Sequence, residues 1–149
     1  MEVAYFLKSG AAYNPDIVVL GYFINDAEPT PTYRAVPWIA RNSYAYAITG
    51  GAWDTFKRMI LGGPEWKAYY TGLYAEGAPG WKAAQDAVKR LAAYCRDHSI
   101  RLVLANIPEL RELEPYPFAA INQRIAALAS ENGTEYLDLR PALQDQDPS

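Results

Sequence analysis

Residues 16–29, DIVVLGYFINDAEP, form the stretch that decides the fold. An unbroken apolar run rich in β-branched side chains covers residues 16–22, which is typical of a strand buried on both faces of a parallel sheet. Beyond it the polar pair Asn25 and Asp26 opens a loop that contains several prolines. The stretch therefore predicts a buried strand whose carboxyl end carries two polar side chains.

Two further apolar runs have the same character, IRLVLANI at 100–107 and TEYLDL at 134–139. Helical spacing of apolar residues between the runs predicts helices over 80–98 and 117–131, and another helix over 2–12 precedes the first strand. Strands that alternate with helices are joined by right-handed crossovers into a parallel sheet. The sequence predicts an α/β protein, with an incomplete three-layer, flavodoxin-like parallel sheet of about three strands and helices on both faces.

A long insertion, residues 27–79, separates the first strand from the 80–98 helix. Short helices are predicted within it around 38–48, 52–61 and 64–74. The insertion contains many aromatic residues, and Trp81 follows just beyond it: Tyr33, Trp38, Tyr44, Tyr46, Trp53, Phe56, Trp66, Tyr69, Tyr70 and Tyr74. We expect these rings to form a small core that packs the insertion onto the sheet. The alternative is an aromatic lid over an acyl or sugar substrate.

Composition excludes several classes of function. The chain of 149 residues, a length typical of one domain, has a net charge of −3 and no run of basic residues, so no nucleic-acid surface is expected. The sequence contains no run of about 18 apolar residues, so no membrane span is predicted. The single cysteine, Cys95, excludes an internal disulfide and a cysteine-built zinc site, and it favours a reducing compartment such as the cytoplasm. No glycine-rich phosphate loop follows any predicted strand.

The polar groups that follow the strands are the candidates for chemistry, because ligands of open parallel sheets bind at the carboxyl ends of the strands. The amide of Asn25 there can donate a hydrogen bond to a developing oxyanion. The alternative is that Asn25 and Asp26 only cap a turn. Three glutamates, Glu109, Glu112 and Glu114, follow the second strand, and their alternation with Arg111 and prolines predicts a solvated loop. Cys95 is expected to be an inert core thiol.

The segment YNPDIVVLGYFINDAEP, residues 13–29, resembles the third conserved block of the SGNH (GDSL-like) hydrolases, in which a strand of the type PDxVVLxxxxND delivers an asparagine to the oxyanion hole. RLVLANIPEL and TEYLDLRPAL are similar to the next and the last strand of that family, so the resemblance covers nearly the whole chain. One departure is Phe23, which stands where the short form of the block has glycine.

The resemblance implies an ester hydrolase of the acyl esterase or lipase type with a serine nucleophile. Asn25 is then the oxyanion-hole residue, and Asp26 and Tyr22 are candidate substrate-binding residues. Asp26 is expected mainly to accept hydrogen bonds from loop amides and so to hold the Asn25 amide in place. The resemblance implies no metal and no cofactor.

The family's Gly-Asp-Ser and Asp-x-x-His blocks are absent from these 149 residues. None of the serines follows Gly-Asp: Ser9, Ser43, Ser99, Ser130 and Ser149. The one histidine, His98, precedes the 100–107 strand and is expected at the amino edge of the sheet, a strand length of about 17–20 Å from the ligand edge. The chain is therefore expected to be a partial hydrolase domain that is inactive alone.

Two other expectations follow from the missing blocks. The open alternative is a non-catalytic α/β binding or oligomerisation module, a degenerate relative of the hydrolases. Without its neighbouring strand, the first strand would have an unpaired edge, and such edges invite pairing with another chain. A homo-oligomer formed through this edge is therefore expected.

Overall fold

Three parallel strands form one sheet in the computed structural model of the protein, which describes residues 2–29 and 65–144. The strands are β1 (Ile17–Phe23), β2 (Arg101–Ile107) and β3 (Glu135–Asp138), in the order β1-β2-β3. β1 pairs with β2 over its whole length, and Asn106 of β2 lies opposite Asp138 of β3. All three carboxyl ends therefore share one edge. The predicted strands and the α/β class are confirmed.

The helices are α1 (Glu2–Lys8), α2 (Glu65–Leu73), α3 (Pro79–Asp97), α4 (Ala119–Glu131) and α5 (Arg140–Gln144). A short 3₁₀ helix, Gly10–Tyr13, follows α1, and a second one, Ile24–Ala27, follows β1. We call the second one the Asn25 turn.

Two predicted helix boundaries were wrong. The helix expected over 2–12 ends at Lys8 and continues as 3₁₀ structure to Tyr13, where Asn14 takes a left-handed conformation with φ 47°. The helix expected from residue 117 begins at Ala119, because the buried Phe118 supplies the first carbonyl acceptor, for the N–H groups of Ile121 and Asn122.

The core covers one face of the sheet. Side chains alternate along a strand, so Leu20, Leu102 and Leu104 point to the same face, where the apolar sides of α3 and α4 pack. On the opposite face Val19 is 63% exposed and Leu137 is 48% exposed. The described residues form no comparable buried cluster on that second face, where the prediction also placed helices.

The third helix predicted in the insertion is confirmed as α2, whereas those predicted over 38–48 and 52–61 lie outside the described residues. Trp66 of α2 contacts Phe118 edge to face, with 5.1 Å between ring centroids, and Tyr70 contacts the same ring at 5.7 Å. Tyr74 packs against Trp81 at 5.0 Å. These rings attach α2 to the main core, as expected for an aromatic cluster that anchors the insertion.

Candidate functional site

The Asn25 turn begins where β1 ends, at the carboxyl edge of the sheet. Its first and last residues, Ile24 and Ala27, are buried, with exposed fractions of 3% and 1%, and the two residues between them are exposed. The two apolar side chains therefore anchor the turn in the core while Asn25 and Asp26 face solvent. Within the described residues, the Asn25 side chain makes no hydrogen bond.

Asp26 closes the turn onto the strand. Its Oδ2 accepts a hydrogen bond from the backbone N–H of Phe23 at 2.8 Å, and the carbonyl of Asn25 accepts one from the N–H of Glu28, also at 2.8 Å. Asp26 is exposed as a residue, but its carboxyl is partly desolvated, which raises its pKa, and the hydrogen bond from Phe23 opposes that shift. Asp26 thus accepts a backbone N–H from the last residue of β1, whereas the sequence analysis expected loop amides, and its part in substrate binding stays a prediction.

Tyr22 lies beneath the turn. It is 3% exposed, and its hydroxyl is 3.1 Å from the hydroxyl of Tyr74, which in turn lies 3.0 Å from the carbonyl oxygen of Ile24. Burial raises the pKa of both phenols. The alternation of β1 places Tyr22 on the covered face with Val18 and Leu20, so the structure gives this residue a packing contact. Its role in substrate binding stays a prediction.

Helix α3 contacts the far end of the turn through a glycine. A Cβ added to Gly80 would lie 1.9 Å from the carbonyl oxygen of Ala27 and 3.1 Å from the carbonyl carbon of Glu28. Only a residue without a side chain allows the first turn of α3 to approach the backbone this closely. The sequence had shown Gly80 only as part of a helix start.

A cavity of about 380 Å³ lies beside the turn, between β1, α1 and α3. Asn25 and Asp26 line it together with Glu2 and Glu28, and the Glu28 carboxylate accepts a hydrogen bond from the Tyr69 hydroxyl of α2. The apolar part of its lining includes Leu20, Tyr22, Ala83, Ala84, Ala87 and Val88. The cavity therefore combines an apolar wall, which suits an acyl group, with an amide donor and acidic groups at its rim.

The carboxyl ends of β2 and β3 bring a second polar group to the same edge. Asn106 is 1% exposed, and its Nδ2 makes no hydrogen bond of good geometry among the described residues, although its side chain lies close enough to the Tyr136 hydroxyl to oppose the rise that burial causes in the pKa of that phenol. The sequence analysis missed this residue, although a polar side chain inside the apolar run RLVLANI was a signal for it. Asp138, opposite Asn106, accepts a hydrogen bond from the backbone N–H of Arg140 at 2.9 Å.

The predicted solvated loop after β2 was wrong for Glu109. This residue is 7% exposed, its Oε2 accepts a hydrogen bond from the N–H of Arg111 at 3.0 Å, and its Oε1 lies 3.4 Å from Nε of Arg111. Its own N–H donates to the hydroxyl of Tyr116. Glu112 forms an ion pair with Lys67 of α2. These contacts fold the loop against the core and against α2.

The serines, the histidine and the cysteine of the described residues lie away from this edge. His98 follows α3 immediately before β2, at the amino edge, where its ring stacks on Tyr94 with 3.9 Å between centroids. Ser9, Ser99 and Ser130 also precede the strands rather than follow them. Cys95 is 1% exposed, and burial raises the pKa of its thiol, as expected for an inert core residue.

Residues 2–29 and 65–144 contain no cluster of three or more histidine, cysteine, aspartate or glutamate side chains that could hold a metal ion. None of the helices in the same ranges is long and apolar enough to cross a membrane. Comparison of the chain with protein-family models, with curated proteins and with solved structures found no match.

Proposed function

We propose that this chain is part of an SGNH (GDSL-like) hydrolase that cleaves carboxylic esters, with Asn25 as an oxyanion-hole donor. One observation carries the proposal. The Asn25 amide is exposed at the carboxyl edge of a parallel sheet, on a turn whose neighbouring residues are anchored, and it borders a cavity large enough for a small acyl group. Ligands of such sheets bind at this edge.

In the proposed reaction, the hydroxyl of a serine attacks the ester carbonyl while a histidine accepts its proton. The C–O bond that forms turns the carbonyl oxygen into an oxyanion, to which Nδ2–H of Asn25 donates a hydrogen bond. Collapse of this intermediate expels the alcohol, which takes the proton from the histidine, and water then hydrolyses the acyl-serine. A donor of this kind contributes about 3–4 kcal/mol to transition-state stabilisation.

The serine and the histidine of this proposal come from outside the 149 residues. None of these residues forms the Gly-Asp-Ser or Asp-x-x-His block, and the serines and the histidine of the described segments lie at the amino edge. We therefore expect the 149-residue chain to be inactive alone, and a protein extended at both ends through its own reading frame to cleave small acyl esters.

The test is hydrolysis of p-nitrophenyl acetate by the extended protein and by its Asn25→Ala variant. Loss of the amide donor should lower kcat about 10²–10³-fold with little change in KM, because the oxyanion forms in the transition state and the tetrahedral intermediate and is absent from the bound ester. The matched control is Asn14→Gly, an exposed asparagine at the amino edge whose φ of 47° glycine accepts without strain.

Two results would overturn the proposal. An unchanged kcat for the Asn25→Ala variant would remove Asn25 from the reaction. Turnover by the 149-residue chain that survives repurification and disappears in its Asn25→Ala variant would show that the nucleophile and the base lie within these residues.

A second candidate function is self-association without catalysis, and the outer edge of β1 favours it. Among the described residues β1 pairs only with β2, and its side chains Ile17 and Val19 are 52% and 63% exposed. We propose that two copies pair through this edge in antiparallel orientation. A register with Val19 opposite the partner's Val19 sets Ile17 opposite the partner's Gly21, where no side chain competes for space. Flanking sequence without the two hydrolase blocks would favour this candidate.

A further inference from the structure

We infer that Tyr74 is a positioning residue for Asn25, which acts through the carbonyl of Ile24 and together with Tyr22. The inference rests on the proposed role of Asn25. Tyr74 follows α2, about fifty residues beyond the Asn25 turn in sequence, yet its hydroxyl reaches the backbone of the residue that precedes Asn25. The side chain therefore fixes the turn from beneath, at the point where the chain leaves β1.

One arrangement of the donors and acceptors satisfies both hydroxyls and the carbonyl. The carbonyl of Ile24 can only accept, so the Tyr74 hydroxyl, at 3.0 Å, donates its single proton there. The Tyr22 hydroxyl, at 3.1 Å, then donates to the Tyr74 oxygen. A chain of two hydrogen bonds thus runs from β1 through Tyr74 to the first residue of the turn, and each bond polarises the other.

This chain of hydrogen bonds is buried. Tyr74 and Tyr22 are 2% and 3% exposed, and burial raises both phenol pKa values, so both hydroxyls keep their protons at any physiological pH. Without Tyr74, the carbonyl of Ile24 would lose a donor in a place that water does not reach easily. The turn would then be held less firmly at this carbonyl.

Tyr74 is itself held in place by two helices. Nη1 of Arg124, on α4, donates a hydrogen bond to the Tyr74 carbonyl, and the Tyr74 ring packs on Trp81 of α3. At the other end of the turn, Gly80 of α3 contacts the carbonyl of Ala27. The backbone is therefore fixed on both sides of Asn25. A catalytic donor needs this precision, since geometry must hold to within about 0.5 Å.

The test is the Tyr74→Phe variant of the 149-residue chain, which removes the hydroxyl and keeps the ring against Trp81. We expect the amides of Glu28 and Phe23, whose hydrogen bonds close the turn, to exchange with solvent about tenfold faster relative to the amide of Leu104 in β2. The matched control is Tyr136→Phe, which removes another shielded phenol hydroxyl, 3.5 Å from the carbonyl of Asn122. This control should leave the ratio unchanged.

The same substitution in the extended protein should lower kcat and leave KM unchanged, because it displaces a donor used in the transition state. If hydrogen exchange at the Glu28 and Phe23 amides accelerates by the same factor as at the Leu104 amide, the inference is overturned, because the substitution would then have lowered the stability of the whole fold. The exchange measurement needs no turnover. A faster exchange at the turn without any effect of Asn25→Ala on activity would therefore refute the proposed function and not the anchoring by Tyr74.

Discussion

Replacing Gly80 with alanine would place a methyl group directly against the backbone of the Asn25 turn. The new Cβ would lie 1.9 Å from the carbonyl oxygen of Ala27, whereas real Cβ contacts essentially never fall below 3.0 Å, so backbone atoms must separate by about 1.1 Å. Forced separation of packed groups costs about 1–3 kcal/mol. The higher helix propensity of alanine relative to glycine offsets at most about 1 kcal/mol of this cost. We expect Gly80→Ala to lower the free energy of unfolding by about 1–2 kcal/mol.

Gly72→Ala is the control for this substitution, because it makes the same chemical change in helix α2. Among the described residues outside its own helix backbone, no heavy atom lies within 4 Å of the added Cβ, so only the propensity gain, up to about 1 kcal/mol, should remain. Urea unfolding followed by far-UV circular dichroism measures both variants, and amide chemical shifts of Asn25 and Glu28 report movement of the turn. An unfolding midpoint for Gly80→Ala at or above that of Gly72→Ala, with equal m-values, would refute the steric argument.

Two further predictions concern the pH dependence of stability and the exposed edge of β1. Burial raises the pKa of Asp26, so the folded state binds the proton more tightly than the unfolded state, and stability falls as pH rises above about 4. In urea titrations, Asp26→Asn should therefore gain stability relative to the unsubstituted chain between pH 4 and pH 7. A difference in unfolding free energy between the two proteins that stays constant over this pH range would contradict the prediction. Val19→Lys should dissociate the proposed dimer in sedimentation experiments, because the lysine at the centre of the paired edge is repelled by the same lysine of the partner. The control, Leu110→Lys at a 61% exposed loop position, should not dissociate it. An unsubstituted chain that sediments as a monomer would refute the pairing.

The sheet could be predicted from sequence because its signal is local. Each strand is a short apolar run bounded by polar or proline residues, and the observed bounds of β1 and β2 differ from the prediction by one residue. Helix ends were less predictable. The start of α4 depends on Phe118, whose ring is buried by α2 and whose carbonyl then becomes the first acceptor. No pattern within residues 117–131 encodes that contact.

The site was predictable only in the part that follows directly from the strand. Alternation along β1 also assigns Tyr22 to the covered face, so its burial could have been inferred from Val18 and Leu20. The contacts of Tyr74 and Gly80 with the turn could not be inferred from sequence, because each residue is about fifty positions away from the turn along the chain. Glu109 misled the prediction since its alternation with a basic residue is typical of solvated loops, whereas the fold uses its carboxylate to bind the N–H of Arg111.

The contacts of the Asn25 turn differ between its two polar residues. A pair that only caps a turn should use its polar groups on nearby backbone. Asp26 does so, since its carboxylate accepts the N–H of Phe23. The Asn25 side chain does not, because it makes no hydrogen bond within the described residues while Ile24 and Ala27 hold its backbone in the core. Asp26 alone closes the turn, and the exposed Asn25 amide beside the cavity is the group to which the proposed function assigns the oxyanion.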